Sequence, residues 1–215
     1  MIAVRQAKSF RIALTAEWWD LPLDPATRDA EIEAFVAERR PDAAPELQRA
    51  IVMILSQTAA AAHNIGAGLC AEYGAEDDDG QLVGASLLVT EAPGDLSGAD
   101  LEKLATGMAQ EGFDRSSAAR LKECSVVTLP QAGRAIRARF DPASAGSDSP
   151  AIGTASLRLQ FFVPVPGTRT TAVVTFDSPV FTGREPDDDL VQLFDAIAGT
   201  FCFLDGQGEQ LPPAG

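Results

Sequence analysis

Apolar and polar residues alternate almost without interruption in the later half of the chain. Between Leu157 and Val163 every second residue is apolar, and Arg158 and Gln160 lie between them. Successive side chains of a strand point to opposite faces, so this pattern predicts strands with one buried face. Alternating or short apolar runs predict strands at residues 10–15, 67–73, 82–90, 122–129, 134–140, 154–165 and 169–178.

Turn-forming residues separate several of these runs. Asp79-Gly80, Pro130–Gly133 and Pro166-Gly167 each stand between two predicted strands. Glycine and aspartate tolerate the positive φ angles that tight turns require. Strands joined by such short turns must be antiparallel.

Apolar residues three to four positions apart predict four helices, at 25–39, 45–64, 98–111 and from Pro186 onward. The second helix is apolar around much of its circumference, so we expect it to be largely buried. The last begins with Pro186 and Asp187–Asp189, which suit a helix N-terminus. Its apolar stripe consists of Leu190, Phe194, Ile197 and Phe201.

The predicted element order is β, α, α, β, β, α, four strands and a final α. Strands that are joined by hairpins and alternate in polarity have one apolar face that must be covered. They predict an α+β fold, in which helices cover an antiparallel sheet within a single layered domain. No interior segment has the composition of a linker, so we assign residues 1–204 to this domain. Residues 205–215, with three glycines and two prolines, are predicted to be a disordered tail.

The charge of the chain excludes some partners. With 31 acidic and 17 basic residues, the net charge is −14. Nucleic acids and anionic membrane surfaces bind clustered Lys and Arg, so neither is an expected partner. No apolar run reaches the roughly 20 residues that cross a bilayer. Three cysteines, far apart and without a CxxC motif, predict free buried thiols and a cytoplasmic location.

The chain is poor in residues that catalyse reactions. It has one histidine, His63, and one tyrosine, Tyr73, and it lacks P-loop, GxGxxG and GxSxG motifs. His63 is interpreted as a capping or partly buried histidine near a helix C-terminus, with a general base as the less favoured interpretation. Glu76–Gly80 and Asp187–Asp189 are interpreted as a hairpin tip and a helix cap, not as metal sites. The prediction is a protein that is not an enzyme and has no cofactor or metal.

Two groups of residues are candidates for binding a protein partner. Trp18 and Trp19 lie on a predicted irregular connection, where one side chain would be buried and the other available. Arg137 and Arg139 are predicted on the sheet face opposite the core, with Arg158 on a nearby strand. For both groups the favoured interpretation is structural: both tryptophans fill the core, and the arginines pair with the chain's own carboxylates.

The end of the chain resembles the PsbP-like family. The resembling segments are Leu157–Val165, Thr170–Ser178 and Asp188–Phe201, which give an antiparallel sheet with a long hairpin and a C-terminal helix. The acidic composition and the Trp18-Trp19 pair also resemble chains of actinobacterial type. The resemblance implies the family's α+β fold and a binding or accessory role, and it transfers no functional residue.

Together these features predict a cytoplasmic protein-interaction module, such as an adaptor, chaperone or immunity-type protein, whose partner is another protein. The alternative is a carrier of a small molecule or lipid, with a pocket between the sheet and helix 45–64. The sequence leaves open whether the chain forms homo-oligomers.

Overall fold

The structure is a computed structural model that describes residues 6–76, 82–96, 99–111, 119–142, 156–179 and 188–213. The elements follow the predicted order, with two short strands added. They are β1 (Ser9–Arg11), β2 (Trp18–Asp20), α1 (Arg28–Arg39), α2 (Pro45–Asn64), β3 (Leu69–Glu76), β4 (Leu82–Pro93), α3 (Leu101–Glu111), β5 (Ala119–Leu129), β6 (Gly133–Pro142), β7 (Ser156–Pro164), β8 (Thr170–Pro179), α4 (Asp188–Gly199) and β9 (Cys202–Leu204).

The chain has an α+β fold with antiparallel strands, as predicted. By packing it divides into two compact units, Ala16–Thr90 and Met1–Thr15 with Glu91–Gly215. We call them the β2–β3 unit and the β5–β8 unit. The assignment of residues 1–204 to a single domain remains a prediction.

In the β2–β3 unit, two helices pack beside antiparallel strands. β2 pairs with β3, and β3 pairs with β4. The prediction of an irregular connection at residues 18–20 is therefore wrong, because this segment adds a strand to the edge of β3. The core joins α1, α2 and β3 through Leu21, Ile32, Val36, Ala59, Ala62 and Cys70.

In the β5–β8 unit, both faces of the sheet β5-β6-β7-β8 carry a helix. On one face, Phe194 of α4 stacks on Phe176 of β8, with ring centroids 4.7 Å apart. On the other face, Leu101 and Ala105 of α3 pack with Ile136 of β6. The predicted first strand is shorter than expected, and as β1 it pairs with β9.

Glycines allow two of the hairpin turns. Gly167 has a φ of 72° and follows Pro166 in the turn between β7 and β8, and Gly133 has a φ of 94° at the start of β6. A side chain with a Cβ would strain either position. β3 and β4 pair in register up to Glu76 and Leu82, which confirms the predicted hairpin. Its Asp79-Gly80 turn lies outside the described residues.

The segment after β9 differs from the predicted disordered tail. Leu211 is 2 % exposed, and its N–H donates to the carbonyl of Phe203 at 2.8 Å. The carboxylate of Asp205 accepts hydrogen bonds from the backbone N–H groups of Gln207 and Glu209. Composition predicted disorder here, but one apolar anchor and an aspartate-stabilised turn hold residues 205–211 against β9.

None of the described helices has the length and apolar character needed to cross a membrane.

The three cysteines are free thiols in different environments, which predicts different reactivities. Cys70 and Cys202 are buried, whereas Cys124 is partly exposed. Burial raises the pKa of Cys70 to about 12, and the nearby charges of Glu72 and Asp20 contribute. Since the thiolate is the reactive form, we expect Ellman's reagent at pH 8 to modify Cys124 first in the native protein.

The control is the variant Cys124→Ser. It should remove the fast phase of modification, and denaturant should restore full reactivity of the other two thiols. Equal native rates for all three cysteines would contradict the buried positions of Cys70 and Cys202.

Candidate functional site

Arg137 and Arg139 lie under α4 and not on an exposed face of the sheet. Across the β6–β7 pair, Arg137 is opposite Phe161 and Arg139 is opposite Leu159. Opposed residues of paired strands share a face, so both arginines point to the same side as these buried residues. Each arginine is 8 % exposed. The prediction that they lie on the face opposite the core is therefore wrong.

Both arginines form ion pairs within the chain. Arg137 donates two parallel hydrogen bonds to the carboxylate of Asp195, at 2.7 and 2.9 Å, and a third to Glu123. Arg139 donates to Asp141 at 2.9 Å and to Asp188 at 3.1 Å. The structure therefore matches the interpretation in which the protein's own carboxylates neutralise these cations.

The pKa of Arg137 reflects this environment. Burial by itself lowers the pKa, but the hydrogen bonds and charges of Asp195 and then Glu123 outweigh it and raise the pKa above its ordinary value. The pKa of Arg139 is raised in the same way, by Asp141 and Asp188 against the effect of burial. Both guanidinium groups therefore connect β6 to α4 as permanent charges.

Arg158 does not extend a cationic stripe with the other two. It stands opposite Phe140 on β6, one position out of step with Arg139, so it points to the other face of the sheet. Its Nε donates to Asp177 on β8 at 2.8 Å. The three arginines therefore do not form one surface.

Trp18 and Trp19 alternate as the sequence predicts. Trp18 is buried and lies with its ring centroid 5.3 Å from that of Tyr73 on β3. Trp19 is partly exposed and stacks on Phe35 of α1, with ring centroids 3.4 Å apart and planes 5° from parallel. Of the pair, Trp19 is the one whose side chain is accessible.

An open cavity of about 490 Å³ in the β2–β3 unit lies beside Trp19. It is lined by Trp19, Phe35, Asp20, Glu31, Leu21 and Leu23, together with Pro22 and Gly68. Burial raises the pKa of Asp20. Neither Asp20 nor Glu31 has an ion-pair partner among the described residues. The cavity therefore combines an aromatic stack, aliphatic residues and two unpaired carboxylates.

A second cavity, of about 530 Å³, lies in the β5–β8 unit. It is bordered by the turn around Pro130, by Ala196 of α4 and by Thr200, which directly follows the helix, and Arg137 and Asp195 form part of its wall. The hydrogen bonds between Arg137 and Asp195 occupy the strongest polar groups of this wall. A ligand would have to compete with that ion pair.

The second helix, α2, exposes apolar residues, so the prediction that it is largely buried is wrong. Its inward side carries Ala59 and Ala62, which are buried. Its outward side carries Leu47, 54 % exposed, and Ile54, 57 % exposed. We call the exposed apolar residues Leu47, Met53, Ile54, Ala61 and Ile65 the α2 stripe.

The spacing of three residues of the α2 stripe was visible in the sequence. Leu47, Ile54 and Ala61 are seven residues apart, a repeat that keeps side chains on one side of a helix. Ile51 and Leu55 belong to the same broad apolar face of the sequence pattern as Leu47 and Ile54, so the pattern alone does not say which of the four are covered. In the structure, Ile51 and Leu55 pack against the core cluster, whereas Leu47 and Ile54 point outward.

Acidic charge is concentrated in the β2–β3 unit. Its 75 residues contain 14 acidic side chains and four arginines, a net charge of −10 out of −14 for the chain. The α2 stripe itself carries no charge, and Glu46 and Arg49 of α2 pair with each other at 3.1 Å. An uncharged apolar stripe therefore lies within a strongly acidic unit.

His63 is exposed at the end of α2. Within the described ranges, no three His, Cys, Asp or Glu side chains are grouped closely enough to hold a metal ion.

Comparisons of the chain with protein-family models, curated proteins and solved structures find no match. The PsbP-like resemblance therefore remains a prediction based on the residues quoted for it.

Proposed function

We propose that this protein is a non-enzymatic interaction module that binds another protein through the α2 stripe. The observation that carries the proposal is the exposure of Leu47, Met53, Ile54 and Ile65 on and just after a 20-residue helix. Exposed apolar patches of this kind mark interaction surfaces. Burying them against a partner would remove apolar surface from water, which favours association.

The charge of the unit favours one kind of occupant. A net charge of −10 around an uncharged apolar stripe complements an amphipathic helix with apolar residues on one face and Lys or Arg beside them. A second copy of this chain would bring two units of −10 together, so self-association is disfavoured. We therefore propose a basic amphipathic helix of a different protein as the occupant.

The carrier alternative has less support. It requires a pocket between the sheet and α2, but neither of the two cavities described above is lined by α2. Ala59 and Ala62 instead pack into the core cluster with Cys70 of β3. A cytoplasmic location is part of the proposal, and the three free cysteines support it.

The test uses two synthetic 20-residue helical peptides with the same leucine stripe, one flanked by lysines and one by glutamates. We expect the basic peptide alone to bind, with an affinity that falls as salt is added. Leu47→Gln and Ile54→Gln should each weaken binding about tenfold, since each removes a side chain that would become buried. Isothermal titration calorimetry measures these affinities.

The matched control is Leu104→Gln, which makes the same change at an exposed leucine of α3 in the other unit. It should leave the affinity unchanged. Equal binding of the two peptides, or no loss with the α2 variants, would reject the proposal. A dimer of the free protein in native mass spectrometry that Ile54→Gln converts to monomer would also reject it, because the stripe would then bind a second copy.

A further inference from the structure

The cavity beside Trp19 has features that the proposed function does not use. Its lining includes two acidic side chains, Asp20 of β2 and Glu31 of α1, from separate elements of the same unit. Neither carboxylate is paired with a cation among the described residues. Elsewhere in the chain, Arg137, Arg139 and Arg158 are all paired with carboxylates. The acidic groups of this cavity are therefore available to a ligand.

The aromatic wall favours a cation in a second way. Trp19 and Phe35 stack face to face, which places a double layer of aromatic rings at the cavity. Aromatic faces carry negative potential and attract ammonium and guanidinium groups within about 6 Å. The guanidinium of Arg39 already lies over the Phe35 ring, 5.3 Å from its centroid, and Trp19 stacks on the same ring, so a ligand cation would contact the ring of Trp19.

The remaining walls indicate what the cation would be attached to. Leu21, Pro22 and Leu23 supply apolar surface that an inorganic ion would not use. An aliphatic chain could lie along these residues while its charged end meets the carboxylates. The volume of about 490 Å³ falls within the range of small-molecule sites.

We propose that the cavity lined by Trp19, Phe35, Asp20 and Glu31 binds an organic cation, an ammonium or guanidinium group at the end of a short aliphatic chain. Burial raises the pKa of Asp20, which indicates that its carboxylate is poorly solvated. A bound cation would stabilise the charged form of this carboxylate. Such a cation is carried by free alkylamines and by Lys and Arg side chains. The proposal does not depend on the α2 stripe, since no residue is shared.

The experiment titrates the protein with n-butylammonium, n-butylguanidinium, n-butanol and butyrate, four probes of similar length and different charge. The two indole N–H signals of the protein, observed by ¹H–¹⁵N NMR, report binding, and that of Trp19 should shift. We expect the two cations to bind in roughly the millimolar range, as suits ligands of so few atoms. Butanol and butyrate should bind at least about tenfold more weakly. Shifts of equal size with butanol or butyrate would overturn the proposal.

Variants locate the binding. Asp20→Asn and Glu31→Gln should each weaken butylammonium binding about threefold to tenfold, as loss of a partly exposed charge partner does. Glu33→Gln is the matched control, because Glu33 is an exposed acid of the same helix that does not line the cavity. Thermal unfolding of each variant shows that it is folded. Unchanged binding by both cavity variants, or an equal loss with Glu33→Gln, would overturn the proposal.

A second arm distinguishes the two sources of the cation. An acetylated, amidated Gly-Lys-Gly peptide is compared with the same peptide carrying acetyl-lysine and with n-butylammonium. Tighter binding of the lysine peptide would assign the cavity to a basic side chain of a partner, and tighter binding of the free amine would assign it to a small molecule. Failure of the lysine peptide and both cations would overturn the inference, and the α2 peptide experiment would remain unaffected.

Discussion

Phe194→Ala is expected to lower the free energy of unfolding by about 3–5 kcal/mol, as truncation of a fully buried aromatic does. Phe194 is fully buried on α4 and stacks on Phe176 of the sheet. The substitution leaves a cavity between helix and sheet and removes the stacking contact, so both effects lower stability. Urea unfolding followed by circular dichroism measures the change.

The matched control is Gln192→Ala, an exposed position two residues earlier on the same helix. It should change the stability by less than about 0.5 kcal/mol. A free energy of unfolding unaltered by Phe194→Ala would mean that α4 does not pack on the sheet.

The same variant also tests the prediction of a single domain. Both tryptophans lie in the β2–β3 unit, whereas Phe194 lies in the β5–β8 unit. Tryptophan fluorescence therefore reports the unfolding of one unit, and circular dichroism reports both. Cooperative unfolding of one domain requires that Phe194→Ala shifts the two transitions equally. If the midpoint of the fluorescence transition does not change, the chain unfolds as two separate domains.

Asp195→Asn is expected to lower the free energy of unfolding by about 1–3 kcal/mol. It removes the negative charge that accepts two hydrogen bonds from Arg137. The side chain of Arg137 is only 10 % exposed, so water cannot fully replace the lost partner. Glu123 remains as its second partner, which limits the loss.

Two further variants separate charge from packing. The double variant Arg137→Met/Asp195→Asn should recover most of the stability, because an apolar side chain of similar length replaces the buried charge. Glu123→Gln, at a more exposed partner that makes one contact, should cost less than about 1 kcal/mol. Stability unchanged by Asp195→Asn, combined with loss of a binding partner in Arg137→Met, would restore the prediction that Arg137 is a binding residue.

The strands and helices could be predicted because local patterns control them. Alternation over Leu157–Val163 located β7, and the Pro166-Gly167 turn located its partner β8. The predicted bounds of the second helix, 45–64, are those of α2. β2 and β9 were not predicted, since each has three residues and exists only because a neighbouring strand accepts it.

The candidate sites depended on which face each element presents, and alternation alone does not say which face is covered. Arg137 and Arg139 were expected in solvent, but α4 covers their face and supplies Asp195 and Asp188 as partners. The cavity beside Trp19 joins residues from β2 and α1 that no motif connects in sequence.

Composition and the order of neighbouring residues were sufficient to predict the α+β class, the antiparallel hairpins, the four helices and the acidic charge. Which apolar and charged side chains are covered depends on how the helices and strands pack against one another. A helix as apolar as α2 can bury only the side that meets α1 and β3, and this left Leu47 and Ile54 in water. A sheet with helices on both faces has no free face for a stripe of arginines, and this placed Arg137 in ion pairs beneath α4.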